Sequence, residues 1–529
     1  MQTAREAIRA TLTDLYQITM AYGYWKSGHK NDEAVFDLFF RKNPFGGEFT
    51  IFAGLEDAQL FLEQFRFNDE DIAYLQEILP KCDRGFFEWL RSIDCSKIKV
   101  WGMDEGTIAF PRVPLLRAEG PLATAQLLET GLLNCVNYAS LVTTNAARYR
   151  LAAGTKPTLL EFGLRRAQGR DGGLSASRYA YLGGFDGTSN VLAGMKFGIP
   201  VRGTMAHSFV QTFSDLKDLS ETTILNPNGE KVEFVETVLR ARRELGFENS
   251  NAGELAAFIA YAQAFPDGFL ALVDSYDTLG SGVPNFICVA LALHSVGYRA
   301  LGIRIDSGDL PYLSGLSRVM LSSAGKTYNA PLQDSIILVS NDINEEKLLS
   351  FNEHGQQGTA IDGYGIGTHL VTCERQPALG CVYKLVEVNG VSRIKATGGK
   401  VVIPGKKVAY RLFGESRYPI LDLMTHPDEP MPRRGVRVFC RDPFEETKRA
   451  YVVPSKVKNL HSCVWDGKVA KRPIPLSLQR AYVISQLDEM RPDHLRFINP
   501  TPCKVSVSER IYRELHHKLL SEIPIPEMK

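Results

Sequence analysis

RALGIRIDSGDLPYLSGLSRVMLSSAG, residues 299–325, joins a short apolar strand to a helix through a polar turn. Similar apolar strands, with helical stretches between them, occur at residues 158–163, 201–206, 269–276, 335–342 and 360–368. Continuous apolar strands with helical crossovers are typical of a parallel sheet that is covered by helices. Because at least six such strands fall in one region, the sequence predicts a closed or nearly closed α/β barrel.

The chain on either side of the barrel region has a different pattern. The N-terminal part mixes helical and strand signals, whereas the part after about Lys384 returns to strand signals punctuated by proline. We therefore predict three domains. They are an N-terminal α/β domain at 1–135, an α/β barrel at 136–405 and a C-terminal domain at 406–529. Within the barrel, the charged segment 215–251 is predicted to be a surface insertion or mobile loop.

The amino-acid composition argues against nucleic acid and membranes as binding partners. Lys and Arg total 61 against 60 Asp and Glu, so no net charge attracts nucleic acid or an anionic membrane surface. The sequence has no run of ~18 apolar residues, so we predict no membrane span. The charged start of the chain does not resemble a signal peptide. The 9 cysteines are scattered singly, which is typical of reduced thiols. We expect a cytosolic protein.

His207 follows the strand-like run VRGTMA and is flanked by small residues, in Ala206-His207-Ser208. A lone histidine is most often a structural residue with its ring nitrogens bonded to backbone. Other strand ends in the same half of the chain also carry polar groups, however, and in barrels these ends carry the chemistry. His207 is therefore a candidate reactive group.

Arg304 lies between apolar residues of a strand, in Ile303-Arg304-Ile305. An arginine in that position is either half of a core ion pair or a clamp for an anionic ligand. Asp306 and Asp309 follow it around a Ser-Gly turn. That turn suits sugar hydroxyls or Mg²⁺, which prefers one or two carboxylates together with substrate phosphates.

Two further segments are candidate phosphate sites. Gly365 and Gly367 lie at a strand end before Thr368, where glycines let backbone N–H groups approach a phosphate closely. A tight turn would have the same sequence. Arg165 and Arg166 follow the strand TLLEFG and are either a second phosphate contact or a solvated basic turn.

These residues together indicate a phosphate-binding barrel that transfers, cleaves or isomerises a phosphorylated sugar. No lysine is visible at the strand ends, which argues against the Schiff-base chemistry of an aldolase. The alternatives of an aldolase or isomerase, and of an inactive binding or signalling relative, stay open at this level.

Eight motifs in order give the chain a more specific resemblance. They are TDLYQITMAYGYW (13–25), FFRKNPFGGEF (39–49), EFGLRRAQGRDGG (161–173), YLGGFDGTSNVLAG (181–194), GTMAHSFV (203–210), SGVPNF (281–286), IRIDSGDL (303–310) and GIGTHLVT (365–372). The chain resembles the nicotinate phosphoribosyltransferases of the animal type, from about Thr11 to about Lys384 and more weakly beyond.

The resemblance implies a type II phosphoribosyltransferase fold, with an irregular α/β barrel, an N-terminal α/β domain and a C-terminal domain. It implies formation of nicotinate mononucleotide and pyrophosphate from nicotinate and 5-phosphoribosyl-1-diphosphate (PRPP), the first step of NAD synthesis from nicotinate. It also implies ATP as a co-substrate, Mg²⁺ or Mn²⁺ as cofactor, and a head-to-tail homodimer with shared sites.

The resemblance assigns roles to individual residues. His207 matches the histidine that ATP phosphorylates, and Arg165 matches an active-site arginine. The nicotinate-site positions match Thr204, Arg304 and Tyr16, the last contributed by the partner subunit, although Tyr16 by itself reads as a core aromatic. The PRPP-site positions match Gly365, Gly367, Thr368 and Asp306. The metal ligands are not specified.

Ser189 bears on substrate choice. The nicotinamide-using relative has an acidic residue in the stretch that matches residues 187–194, at the position of Ser189. A carboxylate there would pair with an amide N–H and repel an acid, so serine favours nicotinate over nicotinamide.

Overall fold

The chain divides into two compact units in the computed structural model, which describes residues 9–354, 359–396, 400–523 and 525. Residues 1–145 and 375–529 form the first unit, and residues 146–374 form the second. The domain boundaries predicted near residues 135 and 405 stay predictions.

The helices of the two units are named in chain order. They are α1 (Leu15–Lys26), α2 (Leu55–Gln64), α3 (Asp69–Ile78), α4 (Arg84–Ser92), α5 (Leu122–Leu127), α6 (Glu129–Ala153), α7 (Gly169–Leu182), α8 (Val191–Phe197), α9 (His207–Gln211), α10 (Val235–Glu244), α11 (Ala252–Ala264), α12 (Val283–Ser295), α13 (Leu310–Tyr328), α14 (Glu345–His354), α15 (Thr368–Val371), α16 (Leu476–Asp488) and α17 (Glu509–Glu522). A π-helical turn, Thr278–Gly282, leads directly into α12.

The strands follow the same convention. They are β1 (Glu33–Phe40), β2 (Thr50–Ile51), β3 (Lys99–Gly102), β4 (Ile108–Ala109), β5 (Leu116–Pro121), β6 (Thr158–Glu161), β7 (Gly187–Thr188), β8 (Thr223–Leu225), β9 (Lys231–Glu233), β10 (Leu270–Leu272), β11 (Gly302–Ile305), β12 (Ile336–Ser340), β13 (Gly363–Ile366), β14 (Cys381–Val388), β15 (Val391–Ser392), β16 (Val408–Phe413), β17 (Pro419–Thr425), β18 (Val438–Arg441), β19 (Arg449–Val452), β20 (Lys456–Asn459), β21 (Ser462–Asp466) and β22 (Val505–Val507).

The first unit is built on two six-stranded sheets. One has the order β15-β14-β1-β5-β3-β21 with antiparallel neighbours, and the other has the order β19-β18-β22-β17-β16-β20. Strand β1, EAVFDLFF, is buried at every residue after its first, because apolar side chains occupy both of its faces. The N-terminal and C-terminal segments of the chain thus contribute strands to one sheet.

The second unit holds the parallel sheet that the sequence predicts. Its strand order is β10-β11-β12-β13-β6-β7, every neighbouring pair is parallel, and helices follow the strands. The sheet forms a half-barrel, and the fold class predicted from the sequence is confirmed. The carboxyl ends of parallel strands meet at one edge, and this edge carries the candidate site.

One local prediction within the second unit was wrong. The run 201–206 is not a strand, since it makes a single bridge from Val201 to Thr188 and is mostly exposed. The segment 215–251, predicted to be a surface insertion or mobile loop, contains the antiparallel hairpin β8–β9 and the helix α10. Val238 and Ala241 of α10 are buried, so this helix packs on the fold rather than projecting from it.

Among the described residues, one helical stretch is long and apolar enough to cross a membrane. Residues Thr278–Ser295 have a mean hydropathy of 1.2 over 18 residues, but 78% of the stretch is buried inside the protein. That burial is typical of the core helix of a globular unit, where an all-round apolar surface packs against neighbouring elements.

Candidate active site

His207 is the first residue of α9, directly after the small residue Ala206 in extended conformation. Its Nδ1 lies 3.1 Å from the Ser275 hydroxyl oxygen. Its Nε2 lies 3.9 Å from Asp274 Oδ1 and 3.8 Å from Asp306 Oδ2. One ring nitrogen is therefore held by a hydroxyl, and the other faces two carboxylates.

The two carboxylates are themselves fixed by the ends of three neighbouring strands. Asp274, after β10, accepts hydrogen bonds at Oδ2 from the Asp306 backbone N–H at 3.0 Å and from the Ser307 hydroxyl at 2.5 Å. Asp306, after β11, accepts a hydrogen bond at Oδ1 from the hydroxyl of Ser340, the last residue of β12. Asp274 is almost fully buried, so the cluster is a rigid feature of the sheet edge.

Arg304 lies on β11 and donates from Nη2 to the Met205 carbonyl at 3.0 Å. Its Nε is buried and has no hydrogen-bond partner among the described residues, and the same holds for the Thr204 hydroxyl. Burial lowers the pKa of the Arg304 guanidinium, an effect that Asp306 and Asp274 oppose and Arg165 reinforces. Among the described residues, no carboxylate forms an ion pair with Arg304, which leaves this cation available to an anionic ligand.

Gly365, in β13, and Gly367, directly after it, are required by the packing of the backbone. A Cβ added to Gly365 would lie 2.5 Å from the Phe162 ring, so packing alone excludes a side chain there. Gly367 approaches the Phe162 carbonyl, where an added Cβ would lie 3.3 Å from the oxygen. Thr368 begins the short helix α15 at the same edge of the sheet, next to the ends of β12 and β6.

Arg165 lies on the 3-10 turn Leu164–Arg166 that follows β6, and its side chain is exposed. It is close enough to Arg304 to affect the pKa of that guanidinium. Ser189 is exposed next to the loop that carries Thr204, with its Cβ 3.9 Å from the position of a Cβ on Gly203. The edge therefore combines two cations with a small polar residue.

Two polar strand-end residues have structural roles instead. Glu161 is buried and accepts hydrogen bonds from Ser177 at 2.8 Å and Thr188 at 2.5 Å, so it ties β6 to α7 and β7. Asp309 caps α13 by accepting a hydrogen bond from the Tyr312 N–H at 3.1 Å. The turn after β11 thus leaves Asp306 as the carboxylate that faces His207.

Tyr16 belongs to the first unit, where it lies on α1 with 48% of its side chain exposed. Its exposure is inconsistent with a core aromatic.

A metal ion has two candidate ligands here, Asp274 and Asp306. No group of three or more His, Cys, Asp or Glu side chains suited to a metal occurs among the described residues. Asp274 Oδ1 is nevertheless buried without a hydrogen-bond partner in the described part of the chain. A cation held by one or two carboxylates and by substrate phosphates fits this arrangement.

Sequence reasoning did not single out Ser275 or the Met205 carbonyl as site groups. Ser275 lies directly after Asp274 in VDSY, so its place beside a strand-end carboxylate was the available signal. A backbone carbonyl carries no residue-type signal, because every residue has one.

Two family models match the chain. A nicotinate phosphoribosyltransferase (NAPRTase) N-terminal domain matches residues 11–137, and a nicotinate phosphoribosyltransferase C-terminal domain matches residues 406–515. Both matches fall in the first unit, outside the half-barrel.

Similar proteins extend the match to nearly the whole chain. A nicotinate phosphoribosyltransferase from Dictyostelium discoideum is 51% identical over 98% of this chain and 89% of its own length. The Homo sapiens nicotinate phosphoribosyltransferase is 46% identical over 96% of each chain. A crystal structure of the human nicotinic acid phosphoribosyltransferase matches with a TM-score of 0.86 at 43% identity, covering 96% of this chain and 99% of that one.

A more distant structure shares the fold. The nicotinate-nucleotide pyrophosphorylase from Pyrococcus furiosus matches with a TM-score of 0.60 at 20% identity, over 92% of this chain and 97% of that one.

Proposed function

The chain belongs to the nicotinate phosphoribosyltransferase family, and on that premise we propose that it converts nicotinate and PRPP to nicotinate mononucleotide and pyrophosphate, coupled to ATP hydrolysis through phosphorylation of His207. The reaction would be the first step of NAD synthesis from nicotinate, in the cytosol.

The observation that carries the proposal is a pair of buried donors, Arg304 Nε and Thr204 Oγ1, that have no partner among the residues the structure describes. A buried donor without an acceptor costs about 1–3 kcal/mol, so a ligand acceptor is the natural partner. A planar carboxylate matches the fork of a guanidinium. Nicotinate supplies such a carboxylate, and Ser189 adds no negative charge against it.

His207 has the geometry of a phosphate acceptor. In the tautomer that donates Nδ1–H to the Ser275 hydroxyl, Nε2 keeps its lone pair and faces the acidic cluster. That lone pair would form the N–P bond to the γ-phosphorus of ATP while the bond to ADP breaks. Water would later cleave the N–P bond and release phosphate.

The transfer step needs positioning more than covalent chemistry. The pyridine nitrogen of nicotinate would attack C1 of PRPP as pyrophosphate leaves, through a loose transition state with cationic character on the ribose. Arg304 would orient the nicotinate ring through its carboxylate. Asp306 and Asp274 would hold Mg²⁺ or Mn²⁺, which would neutralise charge on the departing pyrophosphate.

The residues at the end of β13 would hold the PRPP phosphate. Thr368 offers a hydroxyl, and Gly367 brings the backbone close without a side chain in the way. Arg165 is an exposed cation near Arg304 and would contact the substrate phosphates.

The proposal includes a head-to-tail homodimer in which Tyr16 completes the site of the partner subunit. Around α1, Leu12, Leu15, Tyr16 and Met20 are exposed. Helix α8, directly after Ser189, exposes Val191, Leu192 and Met195. Two exposed apolar faces on different parts of the chain suit a two-fold dimer, in which the α1 face of each copy meets the α8 face of the other.

Product analysis by mass spectrometry tests the proposed reaction. Incubation with PRPP, Mg²⁺, ATP and an equal mixture of nicotinate and nicotinamide should give nicotinate mononucleotide and pyrophosphate. The variant Ser189→Asp should lose preference for nicotinate, whereas Ser189→Ala should keep it. A predominant nicotinamide mononucleotide product would identify a nicotinamide-using enzyme, and consumption of PRPP without either base would indicate another sugar-phosphate reaction.

A further inference from the structure

Glu254 is a fully buried carboxylate that the proposed chemistry does not use. It lies in the first turn of α11 with no exposed side-chain area. Its Oε2 accepts hydrogen bonds from the Ser281 hydroxyl at 2.5 Å and from the Asn285 side-chain N–H at 3.0 Å. Its Oε1 has no hydrogen-bond partner among the described residues. Burying a carboxylate with one oxygen left without a hydrogen bond costs stability, so we expect a function that explains Glu254 at this position.

The hydrogen bonds of Glu254 fix one end of the loop that supports His207. This support loop runs from Asp274 to Gly282 and contains Ser275, the partner of His207 Nδ1. The Ser281 hydroxyl makes two hydrogen bonds, because it donates to Glu254 and accepts from the Asn251 backbone N–H at 2.9 Å.

The support loop is closed at its base. A Cβ added to Gly282 would lie 1.8 Å from the Val273 carbonyl oxygen, so the end of the loop packs directly on the strand from which it leaves. Within the loop, Asp277 Oδ1 accepts hydrogen bonds from the Leu279 and Gly280 N–H groups at 3.1 and 2.9 Å. Ser275 and Ser281 therefore lie in one short loop that is closed at its base and hydrogen-bonded internally.

The neighbouring residue of α11 holds the segment that carries His207 itself. A Cβ added to Gly253 would lie 2.3 Å from the Phe213 carbonyl oxygen, just after α9. Farther along, the rings of Phe209 and Tyr261 meet edge to face with centroids 5.7 Å apart. Helix α11 thus contacts the helix of His207, the segment that follows it and the loop of its hydrogen-bond partner.

The charges that act on Glu254 lie in the support loop, and a chain of hydrogen bonds links Glu254 to α10. The pKa of Glu254 is raised to about 7, because burial and the nearby Asp274 and Asp277 outweigh the lowering effect of the hydrogen bonds from Ser281 and Asn285. Arg242 of α10 donates to the Ser250 carbonyl, and the Ser250 hydroxyl donates to Asn285 Oδ1 at 2.7 Å. A carboxylate in this polar network has one favoured geometry, which an apolar residue would not impose.

We propose that Glu254 is a positioning residue for His207, acting through Ser281 and the support loop to hold Ser275 against the imidazole. This inference rests on the proposed phosphorylation of His207. The role acts mainly on the phosphorylation step, because Ser275 contacts the imidazole and not the groups assigned to nicotinate.

The test compares Glu254→Ala, Ser281→Ala and Glu254→Gln with wild type. The control is Glu248→Gln, at an exposed position four residues before α11. Each protein is assayed for the rate of acid-labile ³²P incorporation from γ-labelled ATP and for transfer without ATP. Glu254→Ala should slow labelling on the order of tenfold or more, since small displacements of a reacting group have effects of that size.

The decisive comparison is between the loss of labelling rate and the loss of transfer rate without ATP. Transfer without ATP should change less than the labelling rate in both alanine variants. Glu254→Gln keeps an acceptor oxygen for Ser281 and should restore most of the labelling. A folded Glu254→Ala protein that labels at the wild-type rate would overturn the inference.

Thermal unfolding separates these results from loss of fold. If Glu254→Ala does not fold, the labelling rate of Ser281→Ala replaces it as the test. A normal labelling rate in folded Ser281→Ala would then overturn the inference. No label in the wild type would instead overturn the phosphohistidine step, and this inference with it.

Discussion

At the scale of single residues, the site is defined by groups that lack partners. Within the described part of the chain, Arg304 Nε and the Thr204 hydroxyl are buried donors without acceptors, and Asp274 Oδ1 is a buried acceptor without a donor. Each such group costs about 1–3 kcal/mol in the free protein. Three of them at one edge of a sheet indicate a surface whose hydrogen bonds are completed by bound ligands.

Replacing Arg304 tests this interpretation. Arg304→Ala should raise the nicotinate KM on the order of 100-fold, since charge-assisted contacts to a carboxylate contribute about 2–3 kcal/mol and 1.4 kcal/mol is a factor of ten. Arg304→Lys keeps the positive charge but loses the paired N–H donors of the guanidinium, so its nicotinate KM should rise as well. Steady-state kinetics measure the effect, with circular dichroism as the control for folding. Normal nicotinate kinetics in a folded Arg304→Ala protein would exclude the assigned role.

The sequence predicts part of the residue-level site. His207, Arg304 and Asp306 could be selected because reactive residue types follow apolar strands. Ser275 could not be assigned to His207, since the two residues are separated by 68 positions and meet only when β10 and α9 are folded. The structural roles of Glu161 and Asp309 likewise depend on which donors surround them.

At the scale of elements, the half-barrel depends on close approaches between strands. Gly302 begins β11, and an added Cβ would lie 1.9 Å from the Ile336 carbonyl oxygen of β12. The backbone atom cannot move away without disturbing the pairing of the two strands. Arg304 and Asp306 lie on or just after the same strand, so this contact also sets their position.

Gly302→Ala should therefore lower stability by about 2 kcal/mol or more, which corresponds to a fall of about 4–8 °C in the apparent Tm of a unit of this size. Differential scanning calorimetry measures the change. The matched control is Gly172→Ala in α7, where an added Cβ meets no atom closer than 3.9 Å. The free energy of unfolding of Gly172→Ala should be unchanged or higher by up to about 1 kcal/mol, because alanine favours a helix more than glycine does. Equal behaviour of the two variants would refute the packing argument.

The elements differ in how far the sequence predicts them. Strands β6, β10, β11, β12 and β13 fall within the apolar runs, because buried parallel strands are apolar on both faces. Strand β7 was missed, since two residues, Gly187 and Thr188, give no periodicity. The run at 201–206 was wrongly predicted as a strand because its composition suits one, although only Val201 makes a bridge.

At the scale of the whole molecule, each unit exposes an apolar face. The α1 face, with Leu15 54% exposed, belongs to the first unit, and the α8 face, with Met195 75% exposed, belongs to the second. Exposed large apolar side chains in groups mark association surfaces. The proposed dimer would cover both faces and bring Tyr16 to a site that its own chain does not complete.

Mixing inactive chains tests the shared site. Tyr16→Ala and His207→Ala chains, allowed to exchange subunits, should recover about a quarter of the wild-type ATP-stimulated activity, because half of the dimers are hybrids with one intact site of two. Each variant alone should show little ATP-stimulated activity. Sedimentation velocity gives the oligomeric state under the same conditions. A fully active monomer would contradict the dimer.

Phosphorylation of His207 is the central claim of this account, and γ-³²P labelling tests it most directly. A phosphohistidine is a high-energy phosphoramidate, and it can drive transfer only if the phosphorylated enzyme binds substrates differently from the free enzyme. Wild-type protein should incorporate acid-labile label from ATP, and His207→Ala should not. The variant should also lose ATP hydrolysis and ATP stimulation while keeping a residual ATP-independent transfer. Unchanged labelling and unchanged ATP stimulation in His207→Ala would contradict the account.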